Sequence, residues 1–517
     1  MLKQLFRTKS VDSILADSHE RGHELKKVLG AFDVTMMGIG AIIGAGIFAM
    51  IGEAALGASR GYPAGPALMI SFLITSVACG FTALCYAEFA AMVPISGSAY
   101  TYSYATMGEL VAWLIGWDLI LEYAIGNVAV AISWAGYFNS LLESTIGMSV
   151  PLWLRCDYMS FVKAGSDLTA VPHLFGIPIV FNLLAMLIVL AITWLLVIGI
   201  KESARFNHAV VIFKLAILAI FVGAGFYYFD VKNWTPFAPG GLKGIQIGAA
   251  TIFFAYIGFD AVSTVAEETK NPKRDMPIGI IGSLLACTVI YVLVTAALTG
   301  MMPLDALRNG VAEPLATALE YNHASRWLIS LISIGAVVAT SAVLLVFQIG
   351  QPRILFAMSR DGLLPGGLSK VHPKYMTPHV TTIWTGVVVA VGSSVTTLSE
   401  MANLCNIGTL FAFVLVCVGI MILRVKDPDR PRPFRVPGGH IIPVLGIAFC
   451  IYLMAGLDTM TWLCVDRGRA DNLHRVRPAS QPPERAAQNE RTPNRRTTGL
   501  SQRSKNGSRR ACAGIRF

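Results

Sequence analysis

The sequence predicts an all-α polytopic membrane protein, and three observations support this fold class. The 517 residues are 54% hydrophobic and only 14% charged, with a mean hydropathy of +0.60, which excludes an ordinary soluble domain. Eleven apolar runs are long enough to cross a bilayer. Two of these runs are interrupted by glycines at corresponding positions, a pattern typical of inverted repeats.

The eleven runs, called spans 1 to 11 below, are joined by polar connections. About 30 polar residues precede span 1, and span 1 is too long for the core of a signal peptide, so no cleavable signal is expected. The runs are 32–56, 67–93, 110–143, 178–200, 208–228, 245–267, 277–300, 327–357, 379–397, 399–423 and 441–463.

Span 1 contains the stretch Gly38–Phe48, in which four residues are glycine. Each glycine inside a helix costs roughly 1 kcal/mol relative to alanine, and an unsatisfied backbone group in hydrocarbon costs several kcal/mol more. The opened backbone therefore needs another partner, and a ligand is the favoured one. Close helix packing through small residues four apart, such as Gly40 and Gly44, is the alternative.

Span 6 is the second interrupted run, with glycines in the stretch 248–260 and an acid, Asp260, at its end. A second break weakens the packing alternative. Ionisable residues inside a membrane segment are functional unless a partner neutralises them. Asp118 and Glu122 lie four residues apart on one face of span 3, with Glu122 deeper in the bilayer. Lys214 of span 5 is a candidate partner for Asp260, and snorkelling of Lys214 to the membrane surface is the alternative.

Lysine and arginine are distributed unevenly between the two sides of the predicted membrane domain. One side, which includes the N-terminal segment, carries 20 of them, and the other side carries seven. Because basic connections stay in the cytoplasm, residues 1–31 are predicted to be a cytoplasmic segment. Residues 32–463 are predicted to be a multi-pass domain in the cell membrane.

The last segment, residues 464–517, departs from this pattern. It carries 13 Lys or Arg against four Asp or Glu, and its polar composition predicts disorder. A twelfth helix is expected in its place, so we interpret the abrupt change after Leu463 as a shifted reading frame. Binding of nucleic acid or anionic lipid by this basic tail is the alternative, and no nucleic-acid partner is predicted.

Enzymatic chemistry is not expected. Metal-binding, nucleotide-binding and nucleophile motifs do not occur in the sequence, and most histidines lie outside the spans. No catalytic residue, metal or cofactor is therefore predicted. The cysteines inside the spans are interpreted as packing residues: Cys79, Cys85, Cys287, Cys405, Cys417 and Cys450.

Six stretches, in order between residues 25 and 460, carry a resemblance to a known family. They are Gly38–Phe48, Tyr86–Tyr100, Trp117–Tyr123, Phe254–Asp260, Glu267–Pro272 and Arg353–Pro365. In them the chain resembles the amino acid–polyamine–organocation superfamily, and within it the bacterial type of cationic amino acid transporter. The resemblance implies two inverted repeats of five helices, with helices 1 and 6 broken at a substrate site, plus peripheral helices. Members have at least one helix beyond the eleventh, so the basic tail is a departure.

The resemblance also implies which backbone groups bind an amino acid. A broken helix presents free amides at one end and free carbonyls at the other, and these match a carboxylate and an ammonium. Asp260 is expected to hold the ammonium indirectly or to pair with Lys214. The implied amide donors are Gly44, Ala45, Gly46 and Ile47, and the implied carbonyl acceptors are Ile42, Phe254, Ala255 and Ile257.

For Lys214 the resemblance implies a role in coupling. Members without sodium coupling place a lysine here, between helices 1 and 8, where sodium-coupled members bind their cation. Thr340 and Ser341 of span 8 are the implied hydroxyl neighbours. Lys214, Asp260 and Glu122, with these hydroxyls, are therefore predicted to form a charge network that links a proton to conformational change.

The predicted function is secondary active transport of an amino acid by alternating access, with proton coupling, so the predicted partners are an amino acid, a proton and the lipid bilayer. An exchanger and a membrane amino acid sensor are the alternatives. Small neutral and cationic amino acids both remain open as substrates, because few deep acids accompany Asp260 and Glu122. The acids near the predicted cytoplasmic ends are interpreted as solvated or gating groups: Glu88, Glu267 and Glu268.

Overall fold

The computed structural model describes residues 27–458, apart from gaps at 58–60, 93–97, 199–203, 311–312, 361–363, 371, 373–376 and six positions between 164 and 176. The first 26 residues and the predicted basic tail lie outside the described part. Within it, each of the eleven predicted runs contains helix, so the all-α polytopic membrane fold is confirmed.

Nine spans are α-helices without a break in the described residues. Spans 2, 3, 5, 7, 8 and 10 are long and apolar enough to cross a membrane on their own, whereas spans 4, 9 and 11 are shorter apolar helices. The bounds are Leu68–Met92, Glu109–Ile146, Leu183–Ile198, Ala204–Tyr227, Pro272–Met301, Arg326–Arg360, His379–Val395, Leu398–Lys426 and Ile441–Ala455, for spans 2, 3, 4, 5, 7, 8, 9, 10 and 11.

Span 1 is broken where the glycines predict. Its first half is the α-helix Ala31–Ile42, and the two halves are bent by 43°. Ile43 is extended, with φ −75° and ψ 101°, and ends the first half. The second half starts with the π-helical turn Gly46–Met50 and continues as the α-helix Ile51–Leu56. The break therefore lies within the glycine-containing stretch Gly38–Phe48, where the sequence predicts it.

Span 6 is broken as well, but its second half is not α-helical. The α-helix Gly241–Ile252 passes into a short 3-10 turn, Phe253–Tyr256, and the second half is the 3-10 helix Ala261–Glu268. Between them Gly258 has φ +118°, which residues with a side chain rarely adopt. The predicted run 245–267 is therefore two short helices around a glycine hinge.

Short elements connect the spans on both sides. A 3-10 turn precedes span 2, and an α-helix lies between spans 2 and 3. A two-stranded antiparallel hairpin and two short helices lie between spans 3 and 4. These elements are Gly65–Ala67, Ser98–Thr106, Leu152–Leu154, Tyr158–Lys163, His173–Leu174, Ile177–Pro178, Val231–Trp234, Ala306–Gly310, Pro314–Tyr321 and Gly366–Ser369.

The packing of spans 1 to 10 has an internal two-fold pattern. Span 2 packs on 7, 3 on 8 and 4 on 9, and these pairs map onto themselves when spans 1 to 5 are exchanged with spans 6 to 10. Three further contacts are exchanged in pairs by the same operation. The contact of span 3 with span 10 corresponds to that of span 8 with span 5. The contacts of span 1 with spans 7 and 5 correspond to those of span 6 with spans 2 and 10. Because a unit of five crossings ends on the opposite side from its start, the second unit is inverted relative to the first.

Hydrogen bonds between helices join spans within two groups, one with spans 2 and 6 and one with spans 4 and 8. Spans 2 and 6 are joined through hydroxyls, for example from Thr75 to the carbonyl of Ala249 at 3.0 Å. Spans 4 and 8 are joined by the Gln348 amide, which donates to the Thr193 hydroxyl at 2.8 Å. The breaks of spans 1 and 6 lie where the two groups meet.

Glu88, at the end of span 2, is fully buried in an ion cluster. Its carboxylate accepts hydrogen bonds from Arg424 at 2.5 and 3.1 Å and from the amide of Val436 at 2.7 Å, and Arg432 lies 3.5 Å away. The interpretation of Glu88 as a solvated group is therefore wrong. The cluster fixes the connection between spans 10 and 11 against the end of span 2.

Removing the charge of Glu88 is expected to destabilise the fold. In Glu88→Gln the buried guanidinium of Arg424 loses its counter-charge, and breaking a buried ion pair in this way costs about 3–5 kcal/mol. Thermal melting in detergent checks this, with the exposed Glu400→Gln on span 10 as the control. The double variant Glu88→Gln, Arg424→Met should recover part of the loss, and equal melting temperatures for parent and Glu88→Gln would contradict the expectation.

Candidate functional site

A small cavity lies between the breaks of spans 1 and 6, with room for about one water molecule. Six of the eight backbone-site residues predicted from the sequence line it, and the other two, Ile47 and Ala255, are buried without lining it. The lining residues are Ala41, Ile42, Gly44, Ala45, Gly46, Val130, Phe254, Ile257, Val343 and Phe347.

The span 1 side of this cavity presents backbone amides. The extended residue Ile43 separates the two halves, and Gly44, Ala45 and Gly46 lead into the second half. The first amides of a helix have no acceptor within the helix and carry the positive end of its dipole. An anionic group such as a carboxylate fits this end of the cavity.

Backbone carbonyls meet on the other side, together with a tyrosine that the sequence analysis missed. The Tyr291 hydroxyl of span 7 lies 2.9 Å from the carbonyl oxygen of Ile42 and 2.8 Å from that of Ala255. A phenol donates only one hydrogen, so it satisfies one of the two carbonyls at a time. No spacing signal distinguishes Tyr291 from other apolar positions of span 7.

Gly46 and Gly44 differ in what surrounds them. A Cβ at position 46 would lie 2.2 Å from the Cα of Ala255, so the two breaks cross here backbone to backbone. At position 44 a Cβ would lie 2.7 Å from the Cγ2 of Val343, which is a side-chain contact. Close packing, the alternative raised for Gly40 and Gly44, applies to both, since a Cβ at position 40 would lie 2.8 Å from the Cγ2 of Val211. It applies most strictly to Gly46, where the neighbour is backbone, and Gly44 and Gly46 also line the cavity.

Lys214 is fully buried and reaches the end of the first half of span 1. Its Nζ donates to the carbonyl of Gly40 at 3.0 Å and to that of Ile43 at 3.1 Å. These carbonyls form the negative end of a helix dipole, which favours a cation. The snorkelling alternative is therefore wrong, and Lys214 ties span 5 to the break in span 1.

The two hydroxyls predicted beside Lys214 bond elsewhere in the described structure. Thr340 donates to the carbonyl of Ala336, within span 8, at 2.7 Å. Ser341 donates to its own helix and accepts from the Trp134 indole of span 3 at 2.8 Å. Both residues thus stabilise span 8 and its contact with span 3.

Two buried acids, Glu122 and Asp260, lie close enough to interact electrostatically. The carboxylate of Asp260 accepts from the amide of Gly258 at 3.2 Å, directly after the break. Glu122 also interacts with Asp118 and with the Thr409 hydroxyl of span 10. The structure therefore brings Asp260 towards the acids of span 3, while Lys214 lies at the carbonyl end of span 1.

The walls of the cavity away from the backbone groups are apolar. Val130 of span 3 and Val343 of span 8 face it, together with two phenylalanines, Phe254 and Phe347. Phe347 packs edge-on against Tyr123, with the ring centroids 5.4 Å apart. The arrangement suits a molecule that has charged groups at one end, facing the backbone amides and carbonyls, and an apolar side chain at the other.

Tyr137 joins the π-helical turn of span 1 to a short helix between spans 7 and 8. Its hydroxyl donates to the carbonyl of Phe48 at 2.5 Å and accepts from the amide of Leu315 at 3.4 Å, which links span 3, span 1 and the helix Pro314–Tyr321. Just before this helix, burial and nearby carboxylates raise the pKa of Glu313 to about 7, although Arg155 partly opposes the shift. This short helix therefore covers one end of span 1.

The fold defines a helical membrane protein with two broken spans, and a small cavity lies between the two breaks. A family model of amino acid permeases matches residues 29–468, and the chain therefore belongs to the amino acid permease family. It is an amino acid transporter and a multi-pass membrane protein.

Individual relatives differ in what their names say they carry. The branched-chain amino acid permease BcaP of Bacillus subtilis (strain 168) is 49% identical, over 89% of this chain and 94% of the relative. The methylthioribose transporter of the same organism is 44% identical, over 89% and 95%. The vacuolar cationic amino acid transporter 2 of Arabidopsis thaliana is 38% identical, over 84% and 65%.

Proposed function

We propose that the chain carries amino acids with apolar side chains into the cell across the cell membrane, by proton-coupled alternating access. The observation that supports this most is the combination of opposed backbone amides and carbonyls with apolar walls in a single cavity. Branched-chain transport by the relative BcaP agrees with it. The apolar walls favour this class over cationic substrates, which the sequence had left open.

In the proposed binding mode, the broken helices hold the two charges of the amino acid. The amides of Gly44, Ala45, Gly46 and Ile47 bind the carboxylate, since they start a helix. The carbonyls at the breaks bind the ammonium, and the side chain lies against the apolar walls. The proposed carbonyl acceptors of this site are Ile42, Phe254, Ala255 and Ile257, and the walls are Val130, Val343 and Phe347.

Binding in this mode requires movement, because the cavity holds about one water molecule and an amino acid is several times larger. Phe254 and Phe347 have to move aside, and the group containing spans 1, 2, 6 and 7 has to shift relative to spans 3, 4, 8 and 9. Opening to one side and then to the other is alternating access.

Proton coupling is assigned to Lys214. As an ammonium it bonds to the carbonyls of Gly40 and Ile43 and holds span 1 in place. As a neutral amine it donates more weakly, so proton loss favours the conformation in which span 1 has moved. Glu122 and Asp260 complete the proposed charge network, with Ser341 joining span 8 to span 3 and Thr340 bonded within span 8.

We also propose that the N-terminal segment is cytoplasmic, in line with the distribution of basic residues. For the basic tail we propose a shifted reading frame. The matched family model stops at residue 468, close to the change in composition after Leu463. An exchanger remains the second candidate for the mode of transport.

Uptake into proteoliposomes tests the proposed function. With an inward proton gradient and no sodium, labelled leucine or valine should accumulate, and arginine and glutamate should not. Accumulation that needs sodium would rule out proton coupling. Uptake that occurs only when the proteoliposomes are preloaded with amino acid would indicate an exchanger. Preference for arginine, or for methylthioribose over leucine, would overturn the proposed substrate class.

A further inference from the structure

The first halves of spans 1 and 6 end in the same way. In span 1 the last helical amide is that of Ile43, which donates to the carbonyl of Ile39 at 2.9 Å. In span 6 the closing amide of Phe253 donates to the carbonyl of Ala249. The next carbonyl along the chain is that of Gly40 in span 1 and that of Ala250 in span 6. Gly40 of span 1 and Ala250 of span 6 are therefore equivalent positions in the two repeats.

Each of these two carbonyls is bound by a side chain from the fifth helix of its own repeat. Lys214 of span 5 donates to Gly40 at 3.0 Å. Asn406 of span 10 donates through Nδ2 to Ala250 at 2.9 Å and to Thr251 at 3.2 Å. Because spans 5 and 10 exchange in the two-fold packing pattern, Asn406 is the structural counterpart of Lys214.

The orientation of the Asn406 side-chain amide is determined by Nδ2, which is its hydrogen-bond donor. The side chain is fully buried, and both neighbouring backbone groups are carbonyls, so only the amide nitrogen can face them. Its oxygen, Oδ1, is buried and has no hydrogen-bond partner in the described part of the chain. Leaving an acceptor unsatisfied costs about 1–3 kcal/mol, and the fold carries this cost at a position that donates to two span 6 carbonyls.

We propose that Asn406 is a positioning residue for the ammonium of the substrate. By binding the carbonyls of Ala250 and Thr251, it holds the end of the first half of span 6. The carbonyls that follow, from Phe254 to Ile257, then keep their direction towards the cavity. The Asn406 side chain is a neutral amide, so its contact with the span 6 carbonyls does not depend on a proton. The corresponding contact of Lys214 in the first repeat changes when Lys214 gains or loses its proton. The inference rests on the proposed substrate site.

Substituting Asn406 tests the proposal. Asn406→Leu keeps a similar volume but removes both donated hydrogen bonds, and Asn406→Ala removes volume as well. Two hydrogen bonds of about 1 kcal/mol each are lost, so the affinity for leucine should fall by up to about thirtyfold in either variant. Competition by 4-methylpentanoate, which is leucine without its ammonium, should be unchanged, because its carboxylate binds the span 1 amides.

A matched control is available one turn earlier on span 10, where Asn403→Ala should bind leucine like the parent. Affinities are measured on the monodisperse fraction of each variant, so that loss of folding and loss of binding are scored separately. Asn406→Ser, which retains one donor, is a milder substitution. Folded Asn406→Leu protein that binds leucine with parental affinity would overturn the positioning role, and so would an Asn406→Ser protein that loses more affinity than Asn406→Leu. A parent protein that binds no amino acid would instead overturn the proposed function.

Discussion

Lys214→Ala is expected to abolish accumulation driven by a pH gradient, a loss of at least about tenfold. The parent side chain is fully buried and donates to two carbonyls at the break in span 1. Hydrogen bonds to charged groups are worth about 1.5–3 kcal/mol each, so span 1 loses a contact that depends on one proton. Proteoliposomes with an imposed pH gradient, with and without sodium, give the measurement.

The matched control is Lys232→Ala, which removes an exposed lysine beyond the end of span 5. It should accumulate leucine like the parent. Binding of leucine to Lys214→Ala is expected to persist in detergent, because the proposed substrate contacts come from other residues. A Lys214→Ala protein that still concentrates leucine against its gradient would disprove the coupling role.

Gly46→Val is expected to reduce the amount of folded protein severely, whereas Gly44→Val should fold and lose substrate binding. A Cβ at position 46 would lie 2.2 Å from the Cα of Ala255. A change of side-chain rotamer cannot relieve this clash, because the neighbouring atom belongs to the backbone. At position 44 the contact is with the side chain of Val343, which can change rotamer. The added side chain then occupies the cavity in front of the amides proposed to bind the carboxylate.

Membrane yield, size-exclusion profiles and leucine binding separate the two effects. From the sequence alone, valine at either glycine is expected to give one outcome, membrane insertion with no substrate binding. Gly80→Val is the control, since a Cβ there meets only the Leu284 side chain at 4.0 Å. Abundant, monodisperse Gly46→Val protein would contradict the crossing geometry, and a Gly44→Val protein that binds leucine normally would place the carboxylate elsewhere.

The breaks of spans 1 and 6 were predictable because their signal is local. Glycine in an apolar run costs helix stability wherever it occurs, so Gly44 and Gly258 mark the breaks without knowledge of neighbours. The depth of Lys214 was not predictable in the same way. Its position near the end of span 5 allowed both snorkelling and burial, and only the contact with span 1 decides between them.

The residues that sequence reasoning missed depend on contacts between distant parts of the chain. Tyr291 joins two breaks, and Asn406 caps one of them, yet neither stands out from its span by spacing. Val130, Val343 and Phe347 line the cavity but resemble any other apolar residues of spans 3 and 8. The proposed contacts with the substrate side chain come from these walls, so the proposed substrate class could not be read from the sequence.

The ion cluster at the end of span 2 has a consequence for how the protein is made. Glu88 and its partner Arg424 are 336 residues apart, and a ribosome that adds about 5–20 residues per second needs roughly 20–70 s to synthesise the chain between them. During this interval the carboxyl group enters the membrane domain with no guanidinium available. It has to remain hydrated or take up a proton until span 10 arrives, so the end of span 2 is completed among the last parts of the nascent protein.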